Sequence, residues 1–547
     1  MPTDVLLVVV ITVVAVSPWL ARLSRLPVPT VQFLLGCLLA ALPVARRLTL
    51  SPELILLVVL PVILFWEGYQ TSVTWARRYW RPILLNGVLL VVATAGGVAV
   101  IAHLLGFPWP AAWALGAVLA PTDASAVTAF GRALPTSWMT VLRAESLIND
   151  GTALVVLAVA IQAANHEHFG AGSVAWRAGQ SYGVGIAMGL AVTLLMLLVL
   201  RHITDPLVNA SFALALPLLA AVPAEALHGS GVVAVVTCGL AGSRGARRIT
   251  PARMRLPAHA FWEITTFLLT GALFVLSGLQ LRGLVTEVSA RQAATLVAQG
   301  LLVTAVVLVI RFSWSMTMTV LIRTLDRRPV QRTLRVPFRA RVVNCWAGLR
   351  GGISLAAALT IPLLVAGGPF PRRQELLVIT FVVVATTLLV QGSTLGLAVR
   401  WASPTFPAPP ARDAVTAARM AVTARTLRAF ENEWFLTDAD PQLRREIQRE
   451  LADALADSGA DRVADSERMR LQLRVLQRKR QELAGLVTDG EVEDSVMWEL
   501  QRLLDLEEAR LEGLLSAAEA ATAPPEVRTE QLGSSSASGS TSRWRRL

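Results

Sequence analysis

The first 400 residues contain thirteen apolar runs, and a chain with so many apolar runs has few folds open to it. The runs begin near Val5, end near Arg400, and are separated by short polar stretches. Backbone polar groups in lipid must be hydrogen-bonded within the chain, so such runs form helices. The mean hydropathy of +0.56 also excludes an ordinary globular protein. We therefore predict an all-α polytopic membrane protein with about thirteen transmembrane helices, in contact with membrane lipid.

The distribution of arginine predicts the orientation of these helices. Residues 1–400 carry 30 arginines and 13 acidic residues, whereas residues 401–547 carry 20 basic and 25 acidic residues. Threading the runs alternately with the N-terminus outside places twenty arginines, including Arg143, in cytoplasmic loops and seven outside. We expect the protein in the inner (plasma) membrane of the cell. The positive-inside rule then places the C-terminal tail in the cytoplasm. Because the net charge of +12 arises from the membrane part, it does not indicate a nucleic-acid partner.

A change of composition near residue 401 predicts the domain organisation. The proline-rich stretch 404–410 marks a boundary, and the following residues are rich in Ala, Leu, Glu and Arg with helical periodicity. We predict a membrane domain over residues 1–400, a helical cytoplasmic domain over 401–531 and a disordered C-terminus over 532–547. The composition of the tail agrees equally with a solvated appendage and with a regulatory or dimer-stabilising domain that binds a regulator.

Charged residues within the apolar runs mark the candidate functional site. Ser146, Asn149 and Asp150 are three and four residues apart, so they share one face of a helix. An acid inside a membrane span costs roughly 2.5–3.5 kcal/mol, which a bound proton or cation would offset. Glu145 lies on the flank of that face, and Arg311 in the eleventh run is its expected partner because a buried guanidinium prefers a carboxylate.

Two apolar runs are interrupted in a way that predicts broken helices. The fifth run contains Pro121 and Asp123, and the twelfth contains residues 348–352 with Arg350 at their centre. If runs one to six and eight to thirteen are inverted repeats, these breaks are equivalent, as in transporters with sites near the membrane midplane. We predict two inverted six-helix repeats with crossing discontinuous helices 5 and 12. Glu67, near the end of the third run, is either an outer ligand of the site or an interfacial residue.

The sequence gives no sign of a cofactor or of an enzymatic site. Cys37, Cys238 and Cys345 all fall in apolar runs without paired or metal-like spacing, and the six histidines are scattered. Buried inert thiols therefore explain the cysteines better than disulfides or a zinc site do.

Several stretches resemble the sodium/proton antiporters of the bacterial NhaP and animal sodium/proton exchanger group. They are residues 121–123, 145–151, 224–231, 261–263 and 348–352. The resemblance implies thirteen membrane helices, a homodimer, and a core domain that moves against a dimerisation domain. Ala124 stands where the family commonly has proline, and Thr270 where it often has asparagine.

The resemblance also implies roles for individual residues. The residues at the cation and proton site are Asp150, Asn149, Ser146, Asp123, Thr122 and Glu67. Among them Asp150 is the exchanging carboxylate, and the sodium ion is held by Asp150, Ser146, Thr122 and Glu67. Asn149 and Asp123 support the site, while Glu145 and Arg311 form a structural ion pair.

We therefore predict a secondary active antiporter that exchanges sodium or lithium for protons by alternating access and serves pH homeostasis. Members of the family with an Asn-Asp pair are generally electroneutral, and Asn149 places this chain with them. Two alternatives stay open. Oxygen ligands also suit potassium, which gives a potassium/proton antiporter, and a bundle of this kind without transport would be a membrane receptor that signals through its tail.

Overall fold

The structure is a computed structural model of the 547-residue chain. It describes residues 3–42, 58–71, 80–123, 136–165, 171–250, 252–286, 289–325, 337–366 and 368–403, together with a few residues of the tail such as the helical 469–475. The chain divides into two units, Met1–Pro409 and Pro410–Leu547. The predictions for a helical domain over 401–531 and a disordered end over 532–547 therefore fall almost wholly outside the described residues.

The first unit is built from helices. Up to Asn165 they are α1 (Thr3–Ser24), α2 (Val28–Ala41), α3 (Leu60–Gln70), α4 (Trp80–Leu84), α5 (Leu90–Leu104), α6 (Trp109–Leu119) and α7 (Thr136–Asn165). A π-helical turn, Leu85–Leu89, joins α4 to α5.

Among the described residues, ten further helices lie between residues 171 and 402. They are α8 (Ala171–Leu200), α9 (Pro206–Ala226), α10 (Gly231–Ile249), α11 (Ala252–Leu279), α12 (Leu281–Thr286), α13 (Ala290–Leu325), α14 (Phe338–Trp346), α15 (Gly352–Leu359), α16 (Arg373–Thr386) and α17 (Ser393–Ala402). A second π-helical turn, Thr387–Gly392, joins α16 to α17. A short antiparallel hairpin pairs β1 (Leu364–Val365) with β2 (Gly368–Pro369).

The protein is a multi-pass membrane protein. Within the described ranges, eight helical segments are long and apolar enough to cross a membrane, and α2, α6 and the first part of α10 are shorter apolar helices. Each of the thirteen predicted apolar runs overlaps at least one helix. Within the described residues the helices of the second, third, fifth and twelfth runs are shorter than a full span, so the number thirteen and the inverted repeats stay predictions.

Small residues let neighbouring helices approach closely. A Cβ atom added at Gly116 of α6 would overlap the backbone of Ala95 in α5, and one added at Gly239 of α10 would overlap the backbone of Phe65 in α3. Packing of this kind is typical of helix pairs in membranes, where no hydrophobic effect drives association. It holds α6 tightly against α5 and α3 tightly against α10.

Two large clusters of buried apolar side chains form the interior, and α7 lies between them. The first cluster draws on α5, α6 and α13–α17, and the second on α3 and α8–α11. Helix α7 gives Leu142, Leu157 and Ala160 to the first cluster and Leu147 to the second. The residues that the sequence singles out on α7 therefore sit at the boundary between two packed bodies.

Candidate functional site

Two non-helical stretches, one after α6 and one between α14 and α15, meet at the centre of the site. Helix α14 ends at Trp346 and α15 begins at Gly352, while α6 ends at Leu119 and the chain continues without helical structure through Asp123. The backbone N–H of Asp123 donates to the carbonyl of Leu349, 2.9 Å away. The two breaks are thus in direct contact. The second half of the fifth run, residues 124–135, lies outside the described residues.

Arg350 is a fully buried guanidinium at this crossing. Its Nε donates to the carbonyl of Leu119 at 3.0 Å, and its Nη1 donates to the carbonyl of Gly348. Its backbone N–H donates to Thr387 Oγ1 at 3.3 Å. Leu119 is the last residue of α6, where carbonyl groups lack helical partners and the helix dipole is negative. The guanidinium of Arg350 therefore provides a hydrogen bond and a positive charge at the C-terminal end of α6.

Asp123 lies at the opposite kind of helix end. A Cβ atom at Gly351, the residue before α15, would overlap the Asp123 carboxylate, so the carboxylate rests against the start of that helix. The N-terminus of a helix carries a partial positive charge that favours an anion. Asp123 and Arg350 thus face helix ends of opposite sign, and the crossing of broken helices 5 and 12 stays a prediction.

The polar face of α7 is directed at the first break. Ser146 Oγ donates to the carbonyl of Thr122 at 2.8 Å, and Asn149 Nδ2 donates to Thr122 Oγ1 at 2.9 Å. The exposed fractions of Ser146, Asn149 and Asp150 are only 2–3%. Helical spacing places these three residues together, and the break supplies the oxygen atoms that face them.

Asp150 is buried without full hydrogen bonding. Among the described residues, neither Asp150 Oδ2 nor the neighbouring Asn149 Oδ1 has a hydrogen-bond partner. A buried carboxylate oxygen left in this way is costly unless a proton or cation satisfies it. The part of the chain that the structure describes holds no cluster of three or more His, Cys, Asp or Glu residues suited to a metal.

Glu67 and Arg143 extend the site toward the end of α3. The half-buried Glu67 interacts electrostatically with Asp150, Asp123 and Arg143. Arg143 Nη1 donates to Gln70 Oε1 at 3.2 Å. Arg143 belongs to α7 and is half-buried, so the prediction that it lies in a loop is wrong. Helix α7 starts at Thr136, nine residues before the apolar run that begins at Glu145, and residues 136–144 mix polar with apolar side chains, which weakens their hydropathy signal.

Glu145 and Arg311 form a buried ion pair beside the site. Arg311 Nη2 lies 3.1 Å from Glu145 Oε1, and the two residues are 5% and 2% exposed. Asn86 Nδ2 donates to Glu145 Oε2 at 3.2 Å, and Trp314 Nε1 donates to Asn86 Oδ1 at 3.2 Å. Arg311 Nη2 also reaches the carbonyl of Asn344 at 3.4 Å. The sequence analysis missed Asn86, whose place inside the fourth apolar run was the available signal.

An aromatic cluster that the sequence analysis also missed fixes α3 against α11. Trp66 stacks in parallel on Trp262, with 5.3 Å between ring centroids, and His259 lies 5.4 Å from the Trp66 ring. His259 Nε2 is 3.2 Å from Glu263, and both of these side chains are more than half exposed. Glu263 therefore lies outside the buried constellation, and the aromatic rings next to Glu67 hold the end of α3 in place.

Known proteins resemble this chain over most of its length. A family model described as sodium/hydrogen exchanger, transmembrane, matches residues 9–401. An uncharacterized Na+/H+ exchanger of Mycobacterium tuberculosis is 38% identical over 521 residues, which cover 93% of this chain and 96% of that protein. A low-affinity Na+/H+ antiporter of Synechocystis is 30% identical over 395 residues, which cover 71% of this chain and 72% of that protein.

The fold has a counterpart among solved structures. The sodium proton antiporter MjNhaP1 of Methanocaldococcus jannaschii superposes with a TM-score of 0.56 at 16% sequence identity, over 73% of this chain and 98% of that one. At this identity the likeness shows the fold alone. The family match, however, includes every site residue from Glu67 to Arg350 and confirms the resemblance expected from the motifs. The chain belongs to the sodium/hydrogen exchanger family of membrane transporters.

Proposed function

We propose that the chain is an antiporter that exchanges Na+ or Li+ for H+ at Asp150. The observation that carries this proposal is the burial of the Asp150 carboxylate within a membrane-spanning helix, with Oδ2 lacking a hydrogen-bond partner in the described ranges. A buried carboxylate is stable when it carries either a proton or a cation. Because both compete for the same oxygens, binding of one ion releases the other. The transported ions are substrates, and the cycle needs no cofactor.

The residues around Asp150 supply the remaining ligands in this proposal. The Ser146 hydroxyl, on the face of α7 that carries Asp150, lies 2.8 Å from the Thr122 carbonyl. Glu67 is close enough to interact electrostatically with Asp150 and serves as an outer ligand, directly or through water. Asn149 and Asp123 hold the break in position. Since Asn149 is neutral, one carboxylate exchanges one cation for one proton, and the cycle is electroneutral.

Alternating access follows from the placement of α7 in this proposal. The two buried clusters meet along α7, and an apolar cavity of about 200 Å³ borders α7 on the side of the second cluster. Its walls come from three helices and the residue after α3, and consist of Thr71, Ile83, Leu84, Ala144, Leu147, Ile148, Val236 and Leu240. In this proposal the gap in packing beside α7 lets one body shift against the other. In this proposal each chain has thirteen helices in two inverted repeats and forms a homodimer. A core domain in each chain moves against a dimerisation domain.

The cellular arrangement is part of the same proposal. The excess of arginine in alternate loops favours an external N-terminus and a cytoplasmic tail in the plasma membrane. The membrane domain occupies residues 1–400, and residues 401–531 form a regulatory domain.

The decisive experiment measures proton movement driven by a sodium gradient in proteoliposomes. Asp150→Asn removes the exchangeable charge at nearly constant volume, so we expect it to abolish exchange while the protein still folds. The matched control is Asp205→Asn, because Asp205 is an exposed N-cap of α9 and asparagine caps helices equally well. Sodium-driven proton movement that persists in Asp150→Asn would contradict the assignment.

The choice of cation is tested in the same vesicles. An oxygen ligand set of hydroxyl, carbonyl and carboxylate groups accepts Na+, Li+ and K+ alike. Titration of the three ions at one pH distinguishes a sodium from a potassium antiporter. An intact, folded protein with no flux for any of the three ions would point instead to a membrane receptor.

A further inference from the structure

Arg143 is a positive charge on the face of α7 that carries the proposed site. It precedes Ser146 by three residues and Asp150 by seven, so the three side chains lie along one face of the helix. The side chain is half-buried, unlike the fully buried Arg311 and Arg350. Nothing in the exchange of cation for proton at Asp150 requires a guanidinium here.

Arg143 donates a hydrogen bond to a neutral residue that lies beside an acidic one. Nη1 donates to Gln70 Oε1 at 3.2 Å, and Gln70 is the last residue of α3. Glu67 lies one turn earlier on the same helix and interacts electrostatically with Arg143. A guanidinium has five donors and binds carboxylates more strongly than amides. Gln70 therefore holds Arg143 next to Glu67 without neutralising it.

The surroundings let Arg143 move while Glu67 stays in place. Helix α3 is fixed by the close approach of Gly239 to Phe65 and by the stacked Trp66 and Trp262. The guanidinium of the half-buried Arg143 is held by Gln70, and Glu67 lies one turn earlier on the same helix. A rotation of the long arginine side chain therefore carries its guanidinium from one residue to the other.

We propose that Arg143 is a tethered competitor of the transported cation: its guanidinium neutralises Glu67 while no cation is bound there, and turns to Gln70 when one binds. This inference rests on the proposed function, in which Glu67 is a cation ligand. An arriving cation has to displace Arg143, so the residue lowers the affinity of the site for cations. It also reduces the negative charge around Glu67, Asp123 and Asp150 when the site is empty.

The first test compares the KM for Na+ of full-length variants in proteoliposomes at alkaline pH, where protons compete least. Arg143→Gln removes the competitor, and we expect KM to fall by about fivefold, the upper range for a partly screened charge pair. Arg143→Lys keeps the charge and should retain the original KM. In a Glu67→Gln background the Arg143→Gln change should no longer alter KM, because its target is gone.

A second variant gives a change of opposite sign. Gln70→Leu removes the tether, so Arg143 turns fully to Glu67 and KM rises; in combination with Arg143→Gln that rise should vanish. The matched control is Arg177→Gln. Arg177 also bonds a glutamine of α7, Gln162, at 2.6 Å, about 18 Å along the helix from Asp150. This control should leave KM unchanged.

The results separate this inference from the proposed function. An unchanged or higher KM in folded Arg143→Gln, or an equal fall in the Glu67→Gln background, would overturn it. If Arg143→Gln does not fold, a KM that is unchanged or lower in Gln70→Leu has the same meaning. Loss of exchange in Asp150→Asn together with an unchanged KM in Arg143→Gln would leave the antiporter standing and remove only the competitor.

Discussion

Arg311 brings a guanidinium into the buried interior of the membrane unit, and Glu145 is its carboxylate partner at 3.1 Å. Removing one partner of a buried pair leaves the other charge unpaired, which costs about 3–5 kcal/mol. We expect Glu145→Gln and Arg311→Gln each to lower the thermal unfolding temperature in detergent strongly. The double variant should lose less than the sum of the two, because it leaves no unpaired charge.

The surface ion pair of Arg372 with Glu375 is a matched control for that experiment. Both side chains are about one-third exposed, so Glu375→Gln should cost no more than about 1 kcal/mol. A Glu145→Gln variant as stable as Glu375→Gln would show that the buried pair does not hold the helices together.

The site shows which contacts a sequence can predict. Helical periodicity alone places Ser146, Asn149 and Asp150 on one face, and the cost of buried charge indicates a partner for Arg311. The roles of Asn86 and Arg143 could not be derived in this way. Their contacts join residues 59 and 73 positions apart in the chain, and local spacing carries no information about such contacts.

The contact between Asp123 and the start of α15 depends on Gly351. The backbone of Gly351 has φ −108°, which any residue adopts, so glycine is needed there for the close approach of Asp123 and not for its conformation. Gly351→Ala should push the Asp123 carboxylate from the start of α15. We expect a loss of sodium-driven proton flux together with lower thermal stability.

Gly179→Ala is the control for this change. Nothing lies within 4 Å of a Cβ atom at Gly179 in α8, and alanine favours a helix over glycine by about 0.5–1 kcal/mol. This variant should keep full flux and equal or greater stability. Normal flux in Gly351→Ala would mean that the contact between Asp123 and α15 is dispensable.

The helices lie where the apolar runs predict them, but some helices begin or end at other residues than the runs do. Every predicted run overlaps a helix, because apolar residues in lipid must satisfy their backbone in this way. Two features depart from the runs: the early start of α7 and the hairpin that begins at Leu364. The first turns of α7 mix polar with apolar residues, so their hydropathy signal is weak. The hairpin lies in an apolar stretch, and hydropathy does not distinguish a strand from a helix there.

The whole membrane unit is organised around α7. This helix packs into both buried clusters, carries Asp150 and Arg143, and borders the apolar cavity of about 200 Å³. A movement of one cluster against the other would therefore change the surroundings of both charges at once. The members of the site described lie between Glu67 and Arg350 in the sequence.

Removal of the tail tests how far the membrane unit works by itself. The family match ends at residue 401, and deletion of Ala411–Leu547 leaves all of it. We expect the truncated protein to retain sodium-driven proton flux in proteoliposomes, because its site and both clusters are intact. A regulatory tail would show itself as a changed dependence of the initial rate on pH or on sodium, while deletion of residues 532–547 alone should leave that dependence unaltered. Loss of flux in a folded truncated protein would instead make the tail part of the transport machinery.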